Sequence, residues 1–115
     1  MKLAIVGSRD IKIRNLNKYI PDNVTEIVSG GARGVDTCAK EYANKNHIKL
    51  TEFLPEYNKF GKAAPLKRNQ KIIDYADEII AFWDGNSHGT KYTIDKCHVS
   101  KKKVTVYIIK PSPKN

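Results

Sequence analysis

Apolar positions along this chain fall into short continuous runs and longer stretches at helical spacing. Leu3-Ala4-Ile5-Val6 is unbroken and stops at Gly7-Ser8, the pattern of a strand buried on both faces. Leu16, Tyr19 and Ile20 predict a short helix that stops near Pro21. Glu26-Ile27-Val28-Ser29 runs into Gly30-Gly31 as a second strand would, and Val35, Cys38, Ala39, Tyr42 and Ala43 then share one helical face. A third strand is expected at Ile48–Leu54, ending at Pro55. A helix with a basic side is expected at Pro65–Ala76, carrying Leu66, Ile72, Ile73 and Tyr75. Glu78–Trp83 is the clearest strand, ended by Asp84-Gly85-Asn86. A helix over Thr90–Ser100 and a last strand over Lys103–Ile109 complete the reading.

Strands that alternate with helices through short connections predict a Rossmann-like three-layer α/β/α fold with a mainly parallel sheet of about five strands. In such sheets a ligand lies outside the carboxyl ends of the strands, where the strand order reverses. Every glycine-rich turn in this chain follows a strand. One domain over residues 1–110 is expected, with a disordered tail at 111–115.

Length and composition narrow the class. A chain of 115 residues that is 40% hydrophobic supports one core shared between a sheet and its helices. No run approaches the ~18 apolar residues of a membrane span, and the opening segment is too short for a signal peptide. A cytoplasmic protein without membrane contact is the expectation. Cys38 and Cys97 show no metal-ligand spacing, so two free thiols and no metal are expected. The formal charge of +9 is uneven: from Lys91 onward there are seven lysines and one acid, Asp95. Such a field draws anions, whether small nucleotides or nucleic acid, and is equally the pattern of a solvated basic face.

Ser29-Gly30-Gly31-Ala32-Arg33-Gly34-Val35-Asp36, between a strand and a helix, carries the strongest chemistry. Glycines let the backbone turn sharply and bring its N–H groups to an anion, and the next helix adds its positive end. Arg33 can fork onto phosphate, while Asp36 can serve the helix dipole or a ligand hydroxyl. Gly7-Ser8-Arg9 after the first strand, and Asp84 with Ser87, Gly89 and Thr90 after the fourth, repeat the pattern of small and hydroxyl residues ahead of an anion. Helix capping is the structural alternative for Ser87 and Thr90. Arg68 and Asn69 open a helix from which Arg68 leans toward the Gly30 loop. Trp83 and Tyr57 are either stacking surfaces for a base or ordinary core, and His47 and His88 read as surface residues.

Together, Gly7-Ser8-Arg9, the Ser29-to-Asp36 loop, Arg68-Asn69 and Ser87-x-Gly89-Thr90 resemble the motifs of the SLOG superfamily, which joins the Smf/DprA proteins with the LOG phosphoribohydrolases. With Tyr57-x-x-Phe60-Gly61-Lys62-Ala63-Ala64 ahead of Arg68, the chain is most similar to the small YspA-like, YpsA-related branch. The resemblance runs from Lys2 to about Ile109. It implies a Rossmannoid pocket for a nucleotide, with Gly30, Gly31 and Gly34 as the phosphate loop, Gly89 and Thr90 facing it, and Arg68 beside the ligand. The LOG pattern PGGxGTxxE is broken here: no PGG precedes the Gly-Thr pair, and Thr93 stands at the glutamate position. The usual carboxylate for glycosidic cleavage is therefore missing.

Three functions follow, in order. The first is binding of a nucleotide or nucleotide-derived, phosphoribosyl ligand as a sensor or ligand-binding module without a cofactor. The second is a LOG-like nucleoside-monophosphate phosphoribohydrolase, with no catalytic residue assigned. The third is DprA-like binding of single-stranded DNA. A homodimer is compatible with all three.

Overall fold

The computed structural model describes residues 1–110; the expected tail at 111–115 lies outside the described residues. Five strands form one sheet: β1 (Lys2–Gly7), β2 (Glu26–Ser29), β3 (Lys49–Glu52), β4 (Glu78–Trp83) and β5 (Val104–Ile108). Their spatial order is β3-β2-β1-β4-β5, and every neighbouring pair is parallel. The chain winds outward from β1 through β2 and β3, then crosses to β4 and β5 on the other side. The reversal falls between β1 and β4, whose carboxyl ends carry the Gly7 and Asp84 turns.

Strand periodicity divides the core. Leu3 and Ile5 of β1 face one layer with Ile27, Ile80 and Phe82, covered by α1 (Val35–Lys45) and a 3-10 turn at Leu16–Tyr19. Ala4 and Val6 face the other layer with Val28, Ile79 and Ala81, covered by α3 (Ala64–Tyr75) and α4 (His88–Val99). Between β3 and α3 the chain makes a short helix, α2 (Tyr57–Phe60), and a 3-10 turn at Gly61–Ala63.

Most expected elements appear with shifted ends. The third strand is four residues long, α4 starts two residues earlier than Thr90, and α2 had no counterpart in the sequence reading.

Two helices end on a non-glycine residue in the left-handed region: His47 after α1 (φ 55°) and Lys101 after α4 (φ 57°). Each ending is a Schellman motif, with Ile48 N–H donating to Ala43 O and Lys102 N–H to Cys97 O, both at 2.9 Å. These bonds turn the chain into β3 and toward β5. Both cysteines are free and buried, and burial pushes the Cys97 thiol up to about 11, away from reactivity at neutral pH.

Among the described residues no helix is long and apolar enough to cross a membrane. Among the same residues no group of three or more His, Cys, Asp or Glu side chains is placed to hold a metal.

Candidate functional site

A cleft of about 360 Å³ opens at the carboxyl ends of β1, β2 and β4. Three helix starts border it, through Asp36 of α1, Pro65 and Leu66 of α3, and Gly89 and Thr90 of α4. Of the residues singled out in the sequence, Gly7, Ser8, Arg9, Gly30, Ala32, Arg33, Asp36, Arg68, Asn69, Ser87, Gly89 and Thr90 line it. Ser29, Gly31, Gly34 and Asp84 do not, and each has a different task.

Ser29 is fully buried at the end of β2 and accepts the Gly31 N–H through Oγ at 3.4 Å. Gly31, at φ 70°, turns outward beneath Leu54. Gly34, at φ 75° and ψ −123°, starts α1, and a Cβ there would collide with the Arg9 carbonyl. Its missing side chain thus lets two loops touch, backbone to backbone. Asp84 is occupied by its own turn: its carboxylate accepts the Asn86 N–H at 2.8 Å, the Ser87 N–H at 2.7 Å and the Ser87 hydroxyl at 2.8 Å. The Ser87 and Asn86 N–H groups hold this carboxyl below its ordinary value.

That last arrangement matters at α4. Ser87 occupies the N-cap position, yet its hydroxyl donates to Asp84 and caps no helix N–H. The first turn of α4 therefore has N–H groups without a side-chain cap, and its Gly89 and Thr90 lie on the cleft wall. Thr90 is buried and lines the same cleft, and among the described residues its hydroxyl makes no hydrogen bond. Gly89 lies beside it, and among the described residues nothing outside its own helical turn comes within 4 Å of where a Cβ would stand. A glycine inside a helix costs about 1 kcal/mol relative to alanine, and no packing here requires one.

Arg68 reaches across from α3. Its Nη1 donates to the Gly30 carbonyl at 2.7 Å and its Nε to Asn69 Oδ1 at 2.8 Å. A Cβ on Gly30 would occupy the space of this guanidinium. Burial lowers the pKa of Arg68, the nearby Asp36 opposes that shift, and Arg9 adds to it. Arg9, Arg33 and Arg68 form no ion pair among the described residues, so the cleft holds three guanidinium groups, of which Arg68 feels the charge of Asp36 without pairing to it. Asp36 is the buried exception in sign. Burial raises its pKa, against the pull of the Ala32 N–H, donated to Oδ2 at 3.0 Å, and of Arg68.

Val6, Asp10, Pro65, Leu66 and Ile72 also line the cleft, without a motif in the sequence to mark them. Val6 and Asp10 flank Gly7-Ser8-Arg9, and Ile72 lies one helical turn beyond Arg68, so adjacency and the i, i+4 rule would have found these three. Thr93, at the position of the LOG glutamate, is buried in the wall and donates its hydroxyl to Gly89 O at 3.1 Å. Trp83 is half-buried, with its indole N–H donating to Ser87 O at 3.0 Å, whereas Tyr57 is exposed. The lysines of the carboxyl-terminal region are dispersed. Lys102 donates to Ala76 O and Lys103 pairs with Glu78, both at the end of the sheet opposite the cleft.

Residues 1–56 match the family model of DNA recombination-mediator protein A. The matched half carries β1 to β3, Gly7-Ser8-Arg9, the glycine loop and Asp36; Arg68 and the start of α4 lie outside it. No curated protein and no solved structure matches the chain.

Proposed function

We propose that this cleft binds a nucleotide or a nucleotide-derived, phosphoribosyl compound, in the manner of a small YspA-like SLOG module. The open first turn of α4 carries the reading. Among the described residues no side chain caps its N–H groups, the Thr90 hydroxyl makes no hydrogen bond, and no atom from beyond α4 fills the space beside Gly89. A tetrahedral anion uses such a set of donors, and Arg9 and Arg68 supply the opposing charge. Binding without turnover is favoured over phosphoribohydrolase activity, because Thr93 has no carboxylate to offer and its hydroxyl is already bonded to Gly89 O.

Native mass spectrometry of freshly purified protein tests the reading, followed by calorimetry with nucleoside monophosphates. A retained or titrating phosphate ester supports it, and a folded protein that binds none sinks it. Release of free base from the same panel, read by chromatography, would make the protein an enzyme.

The family match favours a second reading, contact with DNA, with Arg9 and Arg33 on the matched half as its cations. Steep weakening of oligonucleotide binding with added salt is its signature.

A further inference from the structure

A carboxylate inside an anion-binding cleft works against the site unless it has a task of its own. Asp36 is such a group: it is 8% exposed, lines the cleft and sits in the first turn of α1. Its Oδ2 holds the Ala32 N–H and so shapes the glycine loop. Among the described residues Oδ1 receives no hydrogen bond of good geometry, although the buried Ser29 hydroxyl lies close enough to lower the carboxyl's pKa, and Arg68, though near, forms no ion pair with it. The carboxylate thus keeps acceptor capacity on a cleft wall that also carries cations able to attract phosphate. Asp10, the other acid on the cleft wall, is exposed and screened by water.

We infer that Asp36 selects ligands that carry a hydroxyl donor next to their phosphate, a ribose rather than a bare or deoxygenated phosphate ester. The inference rests on the nucleotide reading above and names which part of the ligand the site discriminates. A ligand hydroxyl donating to Oδ1 makes a charge-assisted hydrogen bond in a buried setting. A ligand without that hydroxyl leaves the carboxylate unpaired against an incoming anion. Discrimination built on an unsatisfied polar group is stronger than discrimination by shape.

The test uses the full chain, four ribonucleoside monophosphates, their 2′,3′-dideoxy analogues and inorganic phosphate, read by calorimetry. Wild-type protein is expected to favour the ribose form by at least ~10-fold, about 1.4 kcal/mol. Asp36→Asn, which keeps an acceptor for the Ala32 N–H, should reduce that preference at least ~3-fold while binding inorganic phosphate as well as or better than wild type, and Asp36→Ala should abolish the preference. These opposite signs separate ligand contact from a structural role, which would weaken every ligand together. Equal binding of ribose and dideoxy forms by wild type overturns the inference and leaves the nucleotide reading intact. So does an unchanged preference in folded Asp36→Asn and Asp36→Ala. Failure of every compound to bind removes both.

Discussion

Arg68 and Gly30 are 38 positions apart in the chain and joined by a 2.7 Å hydrogen bond from guanidinium Nη1 to the backbone carbonyl. The bond closes α3 onto the glycine loop, and the guanidinium occupies the place a Gly30 side chain would take, so a larger residue there would have to displace it. One side chain therefore both shapes the cleft and supplies its charge.

Arg68→Ala should accordingly weaken the fold as well as the ligand. A hydrogen bond from a charged donor contributes roughly 1.5–3 kcal/mol when buried, and half-exposure brings the expected loss to about 1 kcal/mol. That corresponds to a fall in Tm of about 4 °C or more for a domain near 100 residues. Arg68→Lys keeps charge but loses the fork, so it should bind phosphate esters more weakly than wild type and better than the alanine variant. Thermal melts beside calorimetry check both. A fully stable Arg68→Ala with unchanged affinity would remove the residue from loop and site alike.

The strands and glycine turns were legible because buried parallel strands read as apolar runs, and because ligands of such sheets gather at carboxyl ends. Four residues of α2 cannot display a 3.6-residue period, so Tyr57–Phe60 escaped that reading. His47 and Lys101 hold left-handed turns without being glycine, which removes the usual sign of a helix stop. The Asp84 turn was legible in kind, since Asp-Gly-Asn-Ser favours local side-chain bonding, but its capture of Ser87 decided which donors stay open. Nothing local in the sequence reveals that Gly34 is pressed against Arg9 while Gly89 faces space.

Those two glycines should respond oppositely to alanine. Gly34→Ala forces an L side chain into a conformation that only glycine adopts comfortably, and against the Arg9 carbonyl. A loss of at least about 2 kcal/mol is expected. Among the described residues Gly89→Ala meets nothing outside its own helical turn within 4 Å and improves helix propensity, so a gain of about 0.5–1 kcal/mol is expected. Urea midpoints at constant slope measure both. If a ligand approaches the backbone at Gly89, the stabilised variant should also lose at least ~10-fold in phosphate-ester affinity. Gly89→Ala with undiminished affinity would move the anion away from the start of α4.

Asp36→Asn should make the protein more stable at neutral pH, and the sign follows from the direction of its pKa. Burial raises the carboxyl above its ordinary value of 3.8, outweighing both the Ala32 hydrogen bond and the charge of Arg68. The folded chain therefore holds this proton more tightly than the unfolded chain does. Its favourable contribution is present below 3.8 and is lost as pH rises through the raised value, above which the buried carboxylate is charged. Asparagine removes that charge and still accepts the Ala32 N–H through its own Oδ1. Asp84 runs the other way: its pKa is lowered, so its contribution is present above 3.8 and is lost as pH falls through the depressed value. Both proteins share Asp84, so it cancels in their difference. Melting temperatures of wild type and Asp36→Asn should thus differ most at neutral pH and converge as pH falls toward the ordinary aspartate range. A variant less stable than wild type at neutral pH would mean that the carboxylate's charge supports the fold. A variant more stable but poorer at telling ribose from dideoxyribose would show a residue kept for its ligand at the fold's expense.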